Sequence, residues 1–372
     1  MAILPQVLLG PFVGTLVDRW NRRRVMIIAD SVIAFVIVIL AFLFTTDRIE
    51  IWHIYIAMFI RSLGGAFHWP AMQATTTLMV PEDKYTQVAG MNQSLQGMAN
   101  IVAPPLGALL LEILPIEFIM GIDVVTAVLG ISPLLVIFIP QPKRIDDEQV
   151  SLRTVLNDLK AGMRFVWGWK GLRYIMFMSM TINLLVNPGF SLLPLVITEH
   201  FKGGALELAW IQSANGIGMI MGGLALGAWG GFKKRIVTAM LGVAVSGAGL
   251  TIFSLIPVNL FWLGVVVIFI FAFGNSVANG TFFAALQAVV PPQLQGRVFT
   301  LIMSMSIGVT PLGYALAGPL ADIFGVRIWF LVGGLVFTMI GVVAFFIPTI
   351  MNVEEEGKEI QSNFNTNIDE TV

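Results

Sequence analysis

Gly14-Thr15-Leu16-Val17-Asp18-Arg19-Trp20-Asn21-Arg22-Arg23-Arg24 lies between two long apolar segments of this chain. A glycine, an acid four residues on and a burst of four arginines make a short basic turn joining two membrane helices. Working outward from it, apolar runs of roughly 20 residues, each enough to cross a hydrocarbon core about 30 Å thick, follow one another along the chain.

The composition agrees. Of 372 residues, 57% are hydrophobic and 12% charged, against about 25% charged in a soluble domain. A formal net charge of -1 argues against nucleic-acid binding. With no cysteine and three histidines, disulfides are excluded and neither a metal site nor a cofactor is expected. Reading apolar runs between charges predicts eleven spans: a stub, Ala2 to Val17, then Val25–Phe44, Trp52–Val80, Tyr85–Leu114, Ile116–Ile139, Leu172–Thr198, Leu206–Gly231, Ile236–Pro257, Leu260–Pro291, Val298–Leu320 and Val326–Thr349. If the arginine turn is cytoplasmic, 17 of the 21 lysines and arginines fall on that side. Arg48, Lys202 and Arg327 fall on the other, and Arg61 within a span. This positive-inside bias predicts a multi-pass membrane protein with a cytoplasmic C-terminus.

The chain divides into an N-terminal half (1–139), a linker (140–171), a C-terminal half (172–350) and a tail (351–372). The halves repeat. Val80-Pro81 to Val88 and Val290-Pro291 to Val298 share V-P-x-x-x-x-x-x-V at an offset of 210. The same offset pairs Arg61, Gly65, Trp69, Gln73 and Thr77 with Phe271, Asn275, Asn279, Phe283 and Gln287. Steps of four keep each series on one helix face. Asn92, Gln96 and Asn100 pair likewise with Ile302, Ser306 and Thr310. Gly227 and Gly231 with Lys233, Lys234 and Arg235 read as a worn copy of the basic turn. In the linker, Ser151 could cap an amphipathic helix with Leu152, Val155, Leu156, Leu159, Met163 and Val166 on one face, suited to a membrane surface; a plain tether is the alternative. The acidic tail after Met351 is expected to be disordered.

The turn resembles the loop between spans 2 and 3 of the major facilitator superfamily, G-x-x-x-D-R-x-x-R-R, and matches it at every specified position. Leu4-Pro5-Gln6, Gly10-Pro11, Arg61 with Gly65, Trp69-Pro70-Ala71, Asp123 and Gly296-Arg297-Val298 are similar to its macrolide-efflux and siderophore-exporter branch. The resemblance implies an all-α polytopic membrane protein with the major facilitator fold: two six-helix halves, the first helix missing, about eleven transmembrane helices here, and substrate bound between the halves. Span 1 and its lead-in, about 40 residues, are expected upstream of Met1. Members of the branch are mostly proton-coupled exporters of bacterial inner membranes, so the resemblance implies a bacterial plasma membrane. The exporter motif of span 5, G-x-x-x-G-P-x-x-G-G, survives only as Ala103-Pro104-Pro105-Leu106-Gly107-Ala108, where small residues would let spans 5 and 8 approach.

By that resemblance Gly14, Asp18, Arg19, Arg22 and Arg23 form a gating motif, with Asp18 docking on the other half. A carboxylate there can accept bonds from a helix N-terminus, here that of span 11; a purely topogenic role for the arginines is the alternative. Arg61 and Asp123 are charges inside spans at similar depth, costly if left facing lipid. They are read as a proton-coupling pair or a structural ion pair. Trp69, Gln73, Asn92, Gln96, Asn100, Asn183, Asn187, Asn275, Asn279 and Phe283 are read as substrate-cavity residues, since polar groups in apolar helices must face protein or water. His68 and His200 are read as packing and loop residues. No Walker loop and no nucleophile–base constellation occurs, so the chain is not read as an enzyme. The expectation is a monomeric secondary transporter, using protons as coupling ion in the lipid bilayer, that exports small amphipathic, macrolide-like compounds by antiport and alternating access. Uptake by proton symport and a truncated, non-transporting chain are the alternatives.

Overall fold

The computed structural model describes residues 4–141 and 152–360. Ser151, Lys143, Arg144 and the tail from 361 lie outside the described residues. The described chain is helical, with no strand among the described residues.

Helices α1 (Leu4–Arg19), α2 (Arg22–Thr45), α3 (Ile51–Met79), α4 (Tyr85–Ile113) and α5 (Ile116–Val136) come first. Then α6 (Leu152–Gly168) leads to α7, which bends by 47° between Lys170–Ser191 and Leu193–His200. The remaining helices are α8 (Ala205–Trp229), α9 (Arg235–Leu255), α10 (Phe261–Val289), α11 (Gln295–Phe324, interrupted at Val309) and α12 (Ile328–Val343). A last helical segment, residues 353–360, follows. Local signals explain several ends. Asn21 caps α2 by accepting from the Arg24 amide at 3.1 Å, leaving only two residues between α1 and α2. Gly230 ends α8 in the left-handed region, φ 79°, which a glycine adopts without a Cβ penalty.

Among the described residues seven helices are long and apolar enough to cross a membrane, eight counting bent α7 as one span. The eleven predicted spans exceed this by α1, which has 16 residues, and by α3 and α8. Polar residues lower the apolarity of those two: His53, Arg61 and His68 in α3, Gln212 and Asn215 in α8. Helix α5 is apolar and buries none of its residues, a surface suited to lipid.

Two bundles result. In one, α2 packs on α3 and α5, and α1 on α3; in the other, α9 packs on α10 and α12, and α8 on α10. The bundles meet chiefly through α1 against α11 and α4 against α8. These contacts gather at the end carrying the arginine turn, called the basic end below. A Cβ on Gly90 would lie 2.6 Å from the Gly223 carbonyl, and one on Gly97 2.9 Å from the Ile220 amide. Toward the opposite end Gly107 and Gly318 have nothing within 4 Å. The expected close approach of α4 and α8 therefore occurs about three to five turns nearer the basic end, at Gly97 and Gly90, and Gly107 takes no part in it.

The linker helix α6 packs across the basic ends of α1 and α11, with Val166 buried and a Cβ on Gly162 set to meet that of Arg297 at 3.1 Å. The tail departs from expectation. Residues 353–360 are helical, because Val353 is buried and the acids that suggested disorder find cations. Lys234 pairs with Glu355 at 2.9 Å and Arg235 with Glu354 at 3.6 Å.

Candidate functional site: a latched basic end below two cavities

Asp18 ends α1 pointing at the first turn of α11. Its Oδ1 accepts from the Gly296 amide at 2.8 Å and its Oδ2 from the Arg297 amide at 3.1 Å. Those are amides a helix leaves without intrahelical partners, at the positive end of its dipole. The carboxylate also lies 3.8 Å from Arg22 Nη2 and 3.4 Å from Arg297 Nε. Glycines make the approach possible: a Cβ on Gly14 would stand 2.5 Å from the Gly296 carbonyl, and one on Gly296 2.7 Å from that of Gly14.

The arginines are divided in their tasks. Arg22 is fully buried and donates to the Ala74 carbonyl of its own bundle at 2.7 Å and to the Pro292 carbonyl of the other at 2.6 Å. Arg23 donates to the Leu134 and Leu135 carbonyls, holding the end of α5. Arg19, in the last turn of α1, stands on the rim.

A second latch crosses beside α4 and α8. Arg235 donates through Nη2 to the Glu82 carbonyl at 2.7 Å and lies 3.5 Å from its carboxylate, which Lys358 also reaches at 3.2 Å. Glu354 braces Arg235 from behind and accepts from the Ile236 amide at 3.3 Å. Burial pushes the Glu354 carboxyl up, against the lowering effect of that amide and of Arg235. Sequence reading placed Arg235 in a worn copy of the basic turn and Glu354 in the acidic tail, but paired neither of them nor Glu82 across the bundles, because loop charges read first as orientation signals.

Between the latches runs a ladder of amides. Gln287 Nε2 donates to the side-chain and backbone oxygens of Gln73 at 3.0 and 3.2 Å. Gln295 donates to the Gln287 carbonyl at 3.2 Å and accepts from the Thr77 hydroxyl at 2.9 Å. Above it, Trp69 and Phe283 meet edge to face, centroids 5.2 Å apart.

Two cavities open beyond this floor. One of about 360 Å³ is lined by Trp69, Gln73, Asn92, Gln96, Phe283 and Gln287, among others. The other, about 300 Å³, is lined by Asn183, Asn187, Asn215, Asn275, Asn279 and Met219, among others. Asn100 lines neither; it donates to Met219 Sδ at 3.5 Å and accepts from Gln96 at 3.4 Å, tying the two regions together. Within the second cavity Asn187 donates to Asn183 Oδ1 and Asn279 to Asn275 Oδ1, each across one helical turn. Asn215 escaped the sequence reading, although an amide in a glycine-rich apolar helix carried the same signal as its neighbours. Neither cavity lining includes a charged residue.

Arg61 and Asp123 do meet, at 3.5 Å, but outside both cavities and largely exposed, with side chains 68% and 45% accessible. A second intramembrane pair, His68 on α3 with Asp30 on α2 at 3.5 Å, was not anticipated.

Residues 1–313 match the Major Facilitator Superfamily profile. The chain belongs to that superfamily. It is 33% identical to Macrolide efflux protein A of Streptococcus pyogenes, over 95% of this chain and 86% of that one. It is 28% identical to the multidrug efflux pump Tap of Mycolicibacterium fortuitum, over 95% of this chain and 87% of the pump. Among solved structures, the E. coli fucose:proton symporter FucP superimposes with a TM-score of 0.75 at 16% identity, covering 93% of this chain and 88% of the symporter. This is therefore a membrane transporter of small molecules and not an enzyme, and its fold is the two-bundle fold of the superfamily.

Proposed function

We propose that this superfamily member exports amphipathic, largely apolar compounds of the macrolide class from the bacterial cell by proton antiport. The supporting observation is the character of the cavities: amides, aromatic rings and methionine without a charged residue in either lining. Such surfaces hold large neutral or weakly basic scaffolds without fixing one geometry, and offer no cation to neutralise a phosphate. The names of the relatives at 33% and 28% identity point the same way. The lysine and arginine bias supports a cytoplasmic basic end and C-terminus. On that orientation, contacts gathered at the basic end are those of an outward-facing state, and transport requires the Asp18 and Arg235 latches to open in turn.

The test is transport in proteoliposomes of the purified chain. An imposed pH gradient should drive a radiolabelled macrolide uphill, and a protonophore should collapse the accumulation. Macrolide flux indifferent to the gradient refutes antiport; absence of macrolide flux refutes the substrate class.

A further inference from the structure

The second intramembrane pair has a chemistry the first lacks. Arg61 beside Asp123 is a permanent cation, since a guanidinium does not deprotonate in proteins. That pair is neutral as it stands, and a proton arriving on Asp123 would leave an unbalanced positive charge. His68 beside Asp30 is the reverse case. With imidazole neutral the pair carries one negative charge between apolar helices. One added proton, completing the imidazolium, brings the net charge to zero, and no other bond changes.

We propose that Asp30 and His68 form the proton-binding site of the transporter; this rests on the antiport reading above. His68 Nε2 lies 3.5 Å from Asp30 Oδ2, and the side chains are 30% and 28% accessible, enough for a proton to reach them yet largely withdrawn into the bundle. Asp30 is eight residues into α2, about 12 Å from its basic end at 1.5 Å per residue, so the pair lies within the hydrocarbon thickness. An unbalanced charge there is costly, which makes the protonated, neutral pair a distinct state of the helices.

The surroundings bring no competing partner to the pair. On the helices packed around it, the other charged or titratable groups are Asp18 and Arg19 on α1, Arg22, Arg23 and Arg24 on α2, Tyr55, His53 and Arg61 on α3, Glu117 and Asp123 on α5, and Arg297, Tyr314 and Asp322 on α11, which also packs on α3. Asp18, Arg22 and Arg23 are engaged at the basic end, and Arg61 with Asp123. Arg61 and His68 are seven residues apart, two turns along nearly the same face, so about 10 Å separates the two pairs. Asp123 and Arg61 would then supply a fixed polar step toward the opposite end.

The site is also placed to be felt by substrate. His68 precedes Trp69, which lines the larger cavity and meets Phe283 across the bundles. Pro70 follows inside α3, where a proline breaks the backbone ladder and eases bending. Charging or discharging His68 thus acts on the deformable turn that carries the aromatic contact.

The test compares wild type, Asp30→Asn, His68→Gln and, as a control in the first turn of α5, Glu117→Gln in proteoliposomes. Two readings are taken: uphill macrolide accumulation driven by a pH gradient, and macrolide–macrolide exchange without a gradient. Asp30→Asn and His68→Gln should lose gradient-driven accumulation at least tenfold while keeping exchange within about twofold, and Glu117→Gln should keep both. Gradient-driven accumulation surviving in Asp30→Asn or His68→Gln overturns the assignment, as does its loss in Glu117→Gln alone. A wild-type chain with no gradient-driven flux refutes antiport itself, and the assignment with it. Should the two variants fail to fold, the chain carrying His53→Gln and His200→Gln has His68 as its only imidazole. Its ring-nitrogen magnetic resonance should shift when macrolide is added. A resonance unchanged by macrolide overturns the proposal.

Discussion

Replacing Asp18 by asparagine should open the basic end. The carboxylate accepts two amides at 2.8 and 3.1 Å and faces Arg22 and Arg297, and its side chain is 1% accessible. Asparagine keeps one acceptor, turns an NH₂ group toward an amide donor and leaves two guanidinium groups without their counter-charge. Removing one partner from a buried ionic cluster costs about 3–5 kcal/mol. Taking the lower figure, because Arg22 retains two carbonyl partners, the latched state loses about 3 kcal/mol, on the order of a hundredfold in population. A latched-to-open ratio of about 100 to 1 would fall to near unity. The chain has no cysteine, so spin labels at Lys84→Cys and Lys233→Cys, on opposite bundles at the basic end, report without background. Pulsed dipolar spectroscopy should show one short distance in wild type and a second, longer population near half in Asp18→Asn. An unchanged distribution in a variant that unfolds at the wild-type temperature would refute the idea that Asp18 holds the bundles together.

Gly14→Ala and Gly296→Ala should shift the same distances in the same direction, since each Cβ would meet the facing backbone at 2.5 to 2.7 Å; normal spacing with alanine would show that the helices can separate without opening. A double-mutant cycle of Glu82→Gln and Arg235→Gln, read by the same labels, should give a coupling of only about 1 kcal/mol, because the Glu82 side chain is 48% accessible. The segment 353–360 should loosen as pH rises. Burial raises the Glu354 carboxyl above its ordinary range, so the docked state binds the proton more tightly than the undocked one. Docking stability is then full at low pH, declines from about pH 4.3 upward and is lost through the raised value. Hydrogen-exchange protection of residues 353–360, taken relative to the intrinsic exchange rate at each pH, should follow that course in wild type and be flat with pH in Glu354→Gln.

The legible features were those whose chemistry contradicts their setting within one stretch of chain. The arginine turn, Asp18 and the asparagine pairs at four-residue spacing stand out because lipid tolerates none of them without a partner, and a single helix period shows which face they share. Pairings that depend on how two helices are rotated about each other were not legible. Asp30 and His68 lie on different helices, and nothing local in either stretch announces that α2 and α3 bring their faces together there. The same holds for Glu82 with Arg235. The segment 353–360 misled in another way: Glu354, Glu355 and Glu356 lower its apparent order as a string, while in place they meet Arg235, Lys234 and the Trp169 indole.

The two latches answer each other with opposite polarity. In one, an acid at the end of α1 is held by the amides that open α11; in the other, a cation at the start of α9 is held by a carbonyl and carboxylate just ahead of α4. Both join the bundles along the helix pairs that also pack glycine to glycine, α1 with α11 and α4 with α8. Opening the basic end therefore needs both electrostatic contacts to fail while two close-packed seams act as fulcra. The latches differ in burial, Asp18 at 1% and Glu82 at 48% accessible, so the exposed contact is the weaker and should part first. The Asp18 contact, enclosed between Gly14 and Gly296, is then the one whose strength sets how long the basic end stays shut.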